Sequence, residues 1–158
     1  MPRLSLLKQA KGYLFLGKSG TGKSTHTGLW LQQFSDCHLL NDDNPIVHVD
    51  SLGKQATVFG SPWSGKTPCY RKESMTVGAF VRLEQAPQNE IEQERAAHAF
   101  ATLLPSCSCL KQNKEIYNAI VATVTELATL APVYHLKCLP DREATETLQK
   151  DGRRISYE

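Results

Sequence analysis

No apolar run in the 158-residue chain approaches the ~20 residues that a membrane span requires. The N-terminal stretch from Met1 to Lys11 has an apolar segment too short for the core of a signal peptide and no convincing cleavage site. Charge of one sign is also scarce. Lys and Arg number 18 against 16 Asp and Glu, a net +2, and the basic residues are scattered. Neither nucleic acid nor a membrane surface is expected as a partner. Paired cysteines are lacking too. Cys37, Cys69, Cys107, Cys109 and Cys138 are odd in number and widely spaced, which suits free thiols in a reducing compartment better than a disulfide framework. Cys107-Ser108-Cys109 has no second ligand pair at zinc spacing. There is no internal repeat and no low-complexity segment. Together these absences predict a cytoplasmic globular chain, one domain over residues 1–150 with a loose tail at 151–158.

What is present begins with Gly17-Lys18-Ser19-Gly20-Thr21-Gly22-Lys23-Ser24. It follows the apolar run Tyr13-Leu14-Phe15-Leu16 and leads into Thr25 to Phe34, which reads as a helix. Strand, glycine-rich turn, Lys-Ser and helix is the context in which G-x-x-x-x-G-K-[ST] acts as a phosphate-binding loop. Glycines allow several backbone N–H groups to converge on a phosphate, and the helix N-terminus adds the positive end of its dipole. The spacing predicts a nucleotide-phosphate site formed by Gly17, Ser19, Gly20, Thr21, Gly22, Lys23, Ser24 and Thr25. Lys23 is expected on the β- and γ-phosphates and the Ser24 hydroxyl on Mg²⁺.

Further along, Cys37-His38-Leu39-Leu40 reads as a second strand, parallel to the first because a helix joins them. Asp42 and Asp43 would then emerge at its C-terminal end beside the loop, where open α/β sheets bind ligands. The rival reading of Asp42-Asp43-Asn44-Pro45 is a simple turn. Ile46–Asp50 and Gln55–Phe59 flank Ser51-Leu52-Gly53-Lys54 and predict a β-hairpin, with His48 on its surface. Gly60 to Ser74 has no periodicity and carries Lys66, Arg71 and Lys72; it is either a solvated connection or a loop bringing positive charge to a transferring phosphate. A strand is expected over Val77 to Glu84, helices over Glu92 to Leu104 and Asn113 to Leu130, a strand over Val133 to Leu139, and a helix from Asp141, its N-cap, to Lys150. Trp30, four residues after His26 on the first helix, serves either the core or base stacking, and the core fits better.

Phe15 to Ser24, followed by Leu39-Leu40-Asn41-Asp42-Asp43, resembles the superfamily of HPr serine kinase/phosphorylase and phosphoenolpyruvate carboxykinase. Its members share a Ser-Gly-x-Gly-Lys-[ST] loop and a strand ending in Asp-Asp. Gly60-Ser61-Pro62-Trp63-Ser64-Gly65-Lys66 is similar to a segment of the HPr-kinase-like proteins, and the likeness extends over about Gly12 to Leu139. The resemblance implies an α/β fold, a P-loop nucleotide-binding domain with a mixed β-sheet flanked by helices. It also implies ATP and Mg²⁺ as ligands, Asp42 as general base, Asp43 as the metal-binding acid, and catalysis by Asp42 with Lys23. Where the family usually has a histidine on a preceding strand, Arg3-Leu4-Ser5 stands here, and the second HPr-kinase signature is not recognisable around Met75 to Phe80. These departures argue against HPr itself as acceptor. The expected function is ATP-dependent phosphoryl transfer to a hydroxyl of a protein, peptide or small molecule. The alternatives are a nucleotide hydrolase and a catalytically weak ATP-binding sensor. A homo-oligomer is one outcome if a sheet edge lacks its strand.

Overall fold

The structure is a computed structural model that describes residues 11–18, 20–34, 37–40, 45–52, 54–62, 73–108 and 111–155, the stretch from 149 onward as backbone alone. Alternation of apolar residues builds the central strands. In β1 (Lys11–Leu16), Leu14 and Leu16 face one way and pack against one core, while Tyr13 and Phe15 face the other way and pack against a second. β4 (Ser74–Gln85) carries apolar residues on both faces from Val77 to Leu83, Arg82 apart, as expected of a strand covered on both sides. Phe80 joins the first core; Ala79, Val81 and Leu83 join the second.

β4 organises the six-stranded sheet. β1 runs parallel to it along Thr76 to Arg82. β3 (Gln55–Phe59) pairs antiparallel with its start and β6 (Val133–Cys138) parallel with its end. Thr76 pairs with both Lys11 and Thr57, and Phe80 to Arg82 pair with both β1 and β6, so β3 and β6 share the edge of β4 opposite β1. β2 (Ile46–Asp50) forms the expected hairpin with β3, in register from Ile46↔Phe59 to Asp50↔Gln55, and His48 is exposed. β5 (Glu90–Gln93) closes the other end, antiparallel to β6.

Helices cover both faces. α1 (Lys23–Gln33) and α4 (Arg142–Ile155) bring Trp30 and Leu148 to the second core. Gln33 ties them together: its Oε1 accepts from Thr145 Oγ1, and its Nε2 donates to Glu146 Oε1 at 3.1 Å. α2 (Ala96–Leu103), a 3₁₀ turn (Leu104–Ser106) and α3 (Lys114–Leu130) cover the first core with Ala99, Leu103, Val124 and Leu127. The protein is thus an α/β structure, a mixed sheet flanked by helices. Among the described residues no helix is long and apolar enough to cross a membrane.

Three expectations need correction. Cys37 to Leu40 form no strand, and the parallel neighbour of β1 is β4. After α1 the chain turns back through Cys37 N–H to Phe34 O at 3.3 Å, and Leu40 packs on the first core as a single anchor. Two leucines offer less to bury than the long apolar run of β4. Glu92 and Gln93 belong to β5 instead of a helix that starts at Glu92, because Ile91 opposite Leu136 gains burial in the second core. Finally, the segment expected to be loose from 151 is helical as far as Ile155. The N-cap of α4 is as expected: Ala144 N–H donates to Asp141 Oδ1 at 3.1 Å.

Candidate functional site

β1, β4 and β6 run parallel, so their C-terminal ends lie on one side of the sheet. There the chain leaves β1 into Gly17 and Lys18 and enters α1 through Gly20, Thr21 and Gly22. Gly20 and Gly22 have φ of +86° and +95°, conformations that a side chain would strain. Gly17 is required for a different reason. A Cβ there would stand 2.5 Å from Thr21 Oγ1, which donates to Lys18 O at 2.9 Å while Thr21 N–H bonds the same oxygen at 3.2 Å.

Gly22 caps α1 without a side chain, and no acidic residue lies in the first turn. Its carbonyl accepts the first helical hydrogen bond, from His26 N–H at 2.9 Å. The N–H groups of a helix's first turn have no intrahelical acceptor, and with no capping side chain they are available to an anion. Around Gly20 and Gly22 there is open space where a Cβ would sit. Lys23 curls back over the turn, its Nζ donating to Gly17 O at 2.5 Å and to Lys18 O at 3.3 Å. Ser24 and Thr25 are exposed on the first turn of the helix. Glycine conformation, helix terminus and ammonium are thus gathered at one place. Ser19 lies outside the described residues.

Just beneath the turn, His26 is buried, 3% exposed. Its Nε2 accepts from Trp30 Nε1 at 3.0 Å, and Phe15 stands edge-on to the imidazole at 4.9 Å between ring centres. Burial holds the His26 pKa down to about 4, from an ordinary 6.5. The ring is therefore neutral at pH 7, with Nε2 bare and its proton on Nδ1. Trp30 also packs against Tyr13 and Phe34 with its ring tilted to theirs, so it serves the core.

Asp42 and Asp43 lie outside the described residues, as do Lys66, Arg71 and Lys72. The ends of the long loop are defined: Gly60 N–H donates to Glu73 O at 3.2 Å, and Ser61 is fully buried, so the chain departs and returns at one point. His38 Nε2 and Glu73 Oε2, 2.9 Å apart, bring the stretch after α1 against that same return point.

Several polar residues of the sheet are not singled out by any motif. Gln85, the last residue of β4, donates from Nε2 to Gly20 O at 3.3 Å and so touches the glycine turn from a position 65 residues away. Glu84 Oε2 meets His135 Nε2 at 2.6 Å. Glu94, 7% exposed at its side chain, accepts from Arg82 Nε (3.2 Å) and Nη2 (2.9 Å) at one oxygen and from Thr102 Oγ1 (2.6 Å) at the other. These contacts depend on strand order, which no local spacing encodes. Cys138 closes β6 as a protonated thiol, its pKa raised by burial and by the charge of Asp141. Among the described residues no three His, Cys, Asp or Glu side chains converge as a metal group. Compared with known proteins, the chain matches no family model, no curated protein and no solved structure.

Proposed function

We propose that the chain is an ATP-dependent phosphotransferase of the P-loop, HPr-kinase-like kind, transferring the γ-phosphoryl group to a hydroxyl. The observation that carries the reading is the uncapped N-terminus of α1, entered through positive-φ glycines, with the Lys23 ammonium folded against the same turn. A triphosphate suits that donor set. Backbone N–H groups and a lysine supply positive charge, no carboxylate in the first turn opposes it, and the missing Cβ atoms leave room for phosphate oxygens.

Lys23 would exchange its two carbonyl acceptors for phosphate oxygens, a stronger pairing because both partners are charged. Mg²⁺, when bound, supplies charge neutralisation on the phosphates. The Ser24 hydroxyl, exposed on the first turn, would hold it together with Asp43. Asp42 would accept the proton of the acceptor hydroxyl. Acceptor-dependent ADP release marks this reaction, whereas acceptor-independent turnover marks a hydrolase and binding without turnover a sensor.

The test is calorimetric titration of the full chain with ATP in the presence of Mg²⁺. Wild type is expected to bind, and Lys23→Ala to lose affinity by about 10- to 100-fold, the worth of a charge-assisted contact. Equal affinity in the two proteins would overturn the assignment of the turn to phosphate.

A further inference from the structure

Gln85 stands where β4 outruns β1. The last residue of β1, Leu16, pairs with Arg82, and β4 continues for three residues, about 10 Å, past that rung. Gln85 is thus level with the chain that has left β1 and entered the glycine turn. It shares a face of β4 with Val81 and Leu83, the face that α1 covers through Trp30. Its backbone is fixed from the other side. Gln85 pairs with Cys138 on β6, and the next N–H, of Ala86, donates to Cys138 O at 3.1 Å. From that anchor the Gln85 Nε2 donates to Gly20 O at 3.3 Å. Among the described residues, no other side chain from outside the turn and α1 bonds the turn.

That bond acts on a single peptide unit. Its carbonyl, Gly20 O, is held by Gln85, and its N–H, that of Thr21, donates to Lys18 O at 3.2 Å. Gly20 and Gly22, at φ of +86° and +95°, give the stretch many other conformations to visit. A peptide pinned at both ends narrows that freedom, and a loop already ordered loses less entropy when a ligand binds. We propose that Gln85 is a positioning residue for the phosphate turn. It holds the Gly20–Thr21 peptide, and with it the entry to α1, in the shape that receives a nucleotide's phosphates. Resting on the phosphotransferase reading, this adds a residue that contacts neither phosphate nor nucleoside and acts through the turn alone.

The experiment is calorimetry on the full chain with ATP and with inorganic tripolyphosphate, each in the presence of Mg²⁺. Gln85→Met keeps the length of the side chain and removes its donor. Gln55→Met is the control, since Gln55 donates from β3 to Thr76 Oγ1, within the sheet. Gln85→Met is expected to weaken both ligands by the same factor, about 3- to 10-fold, in line with the loss of one uncharged hydrogen bond. Its ligand-free melting temperature should match wild type because Gln85 is exposed, while hydrogen exchange at Thr21 N–H should be faster. Affinities equal to wild type overturn the inference and leave the proposed function standing. A loss for ATP alone also overturns it, because Gln85 would then contact the nucleoside. So does an equal loss in Gln55→Met. Failure of wild type to bind either compound defeats the phosphotransferase reading itself. Thr21 exchange needs no ligand and then still decides whether Gln85 holds the turn, with unchanged exchange in Gln85→Met overturning it.

Discussion

His26 illustrates how one buried residue couples the candidate site to solution conditions. It lies three residues after Lys23, and its imidazole is enclosed by Phe15 and Trp30. Because burial disfavours the imidazolium, the folded protein binds a proton at this residue only near pH 4, whereas the unfolded chain does so near 6.5. Between those values the unfolded state holds more protons, so stability falls as the pH is lowered through that window and the full contribution is present above it. From pH 7 to pH 5 the loss is about 2 kcal/mol. Urea melts of wild type and His26→Gln at the two pH values test this. Glutamine keeps an acceptor for Trp30 but does not titrate, so the variant is expected to show a pH dependence smaller by about that amount. An identical pH dependence in the two proteins would rule out His26 as the source.

At the level of elements, α3 shows a helix whose sequence and structure agree closely. Asn113 accepts from Ile116 N–H at 3.2 Å, Glu115 lies in the first turn, and the buried Val124 and Leu127 carry its inner face. Asn113→Ala should cost about 1 kcal/mol, or roughly 3 °C of melting temperature for a chain of this size. Asn113→Asp should cost nothing measurable, since the carboxylate both accepts the same bond and favours the helix N-terminus. Equal melting of Asn113→Ala and wild type would show that the cap contributes nothing. This helix, the β2–β3 hairpin and the turn before α1 were legible because their determinants are local: apolar residues at helical spacing, an alternation, glycines at fixed offsets. β5 was not. Glu90-Ile91-Glu92-Gln93 has one apolar residue, and its state is decided by Leu136 opposite Ile91 on a strand far along the chain. For the same reason Cys37 to Leu40 looks like a strand in the sequence but is not one in the structure, because a short apolar run does not by itself decide pairing with distant segments. The site divides in the same way. Its glycines and Lys23 are visible as a motif, while Gln85 reaches Gly20 only because β4 lies beside β1.

For the molecule as a whole, ligand binding and stability should be linked through the way α1 is held. Its N-terminus forms the glycine turn, its middle packs Trp30 into the second core, and its C-terminal Gln33 is tied to α4. A ligand at the turn therefore clamps an element whose other contacts reach both the sheet and the last helix. Anything that binds only the folded state stabilises it by mass action, by about 2.7 kcal/mol at a concentration 100 times its Kd. For a chain of this length that corresponds to a rise in melting temperature of roughly 5–10 °C. ATP with Mg²⁺ is expected to produce such a rise in wild type. Lys23→Ala should show a clearly smaller rise at the same ATP concentration, since an affinity weakened by about 10- to 100-fold leaves only about 0.4–1.4 kcal/mol of that stabilisation. EDTA should shrink the wild-type rise by removing the ion that neutralises the phosphates. The measurement holds for a kinase, a hydrolase or a sensor alike, so it tests the nucleotide site separately from turnover. Melting curves that ATP–Mg²⁺ leaves unmoved at saturating concentration would remove the nucleotide from the site, whatever the acceptor.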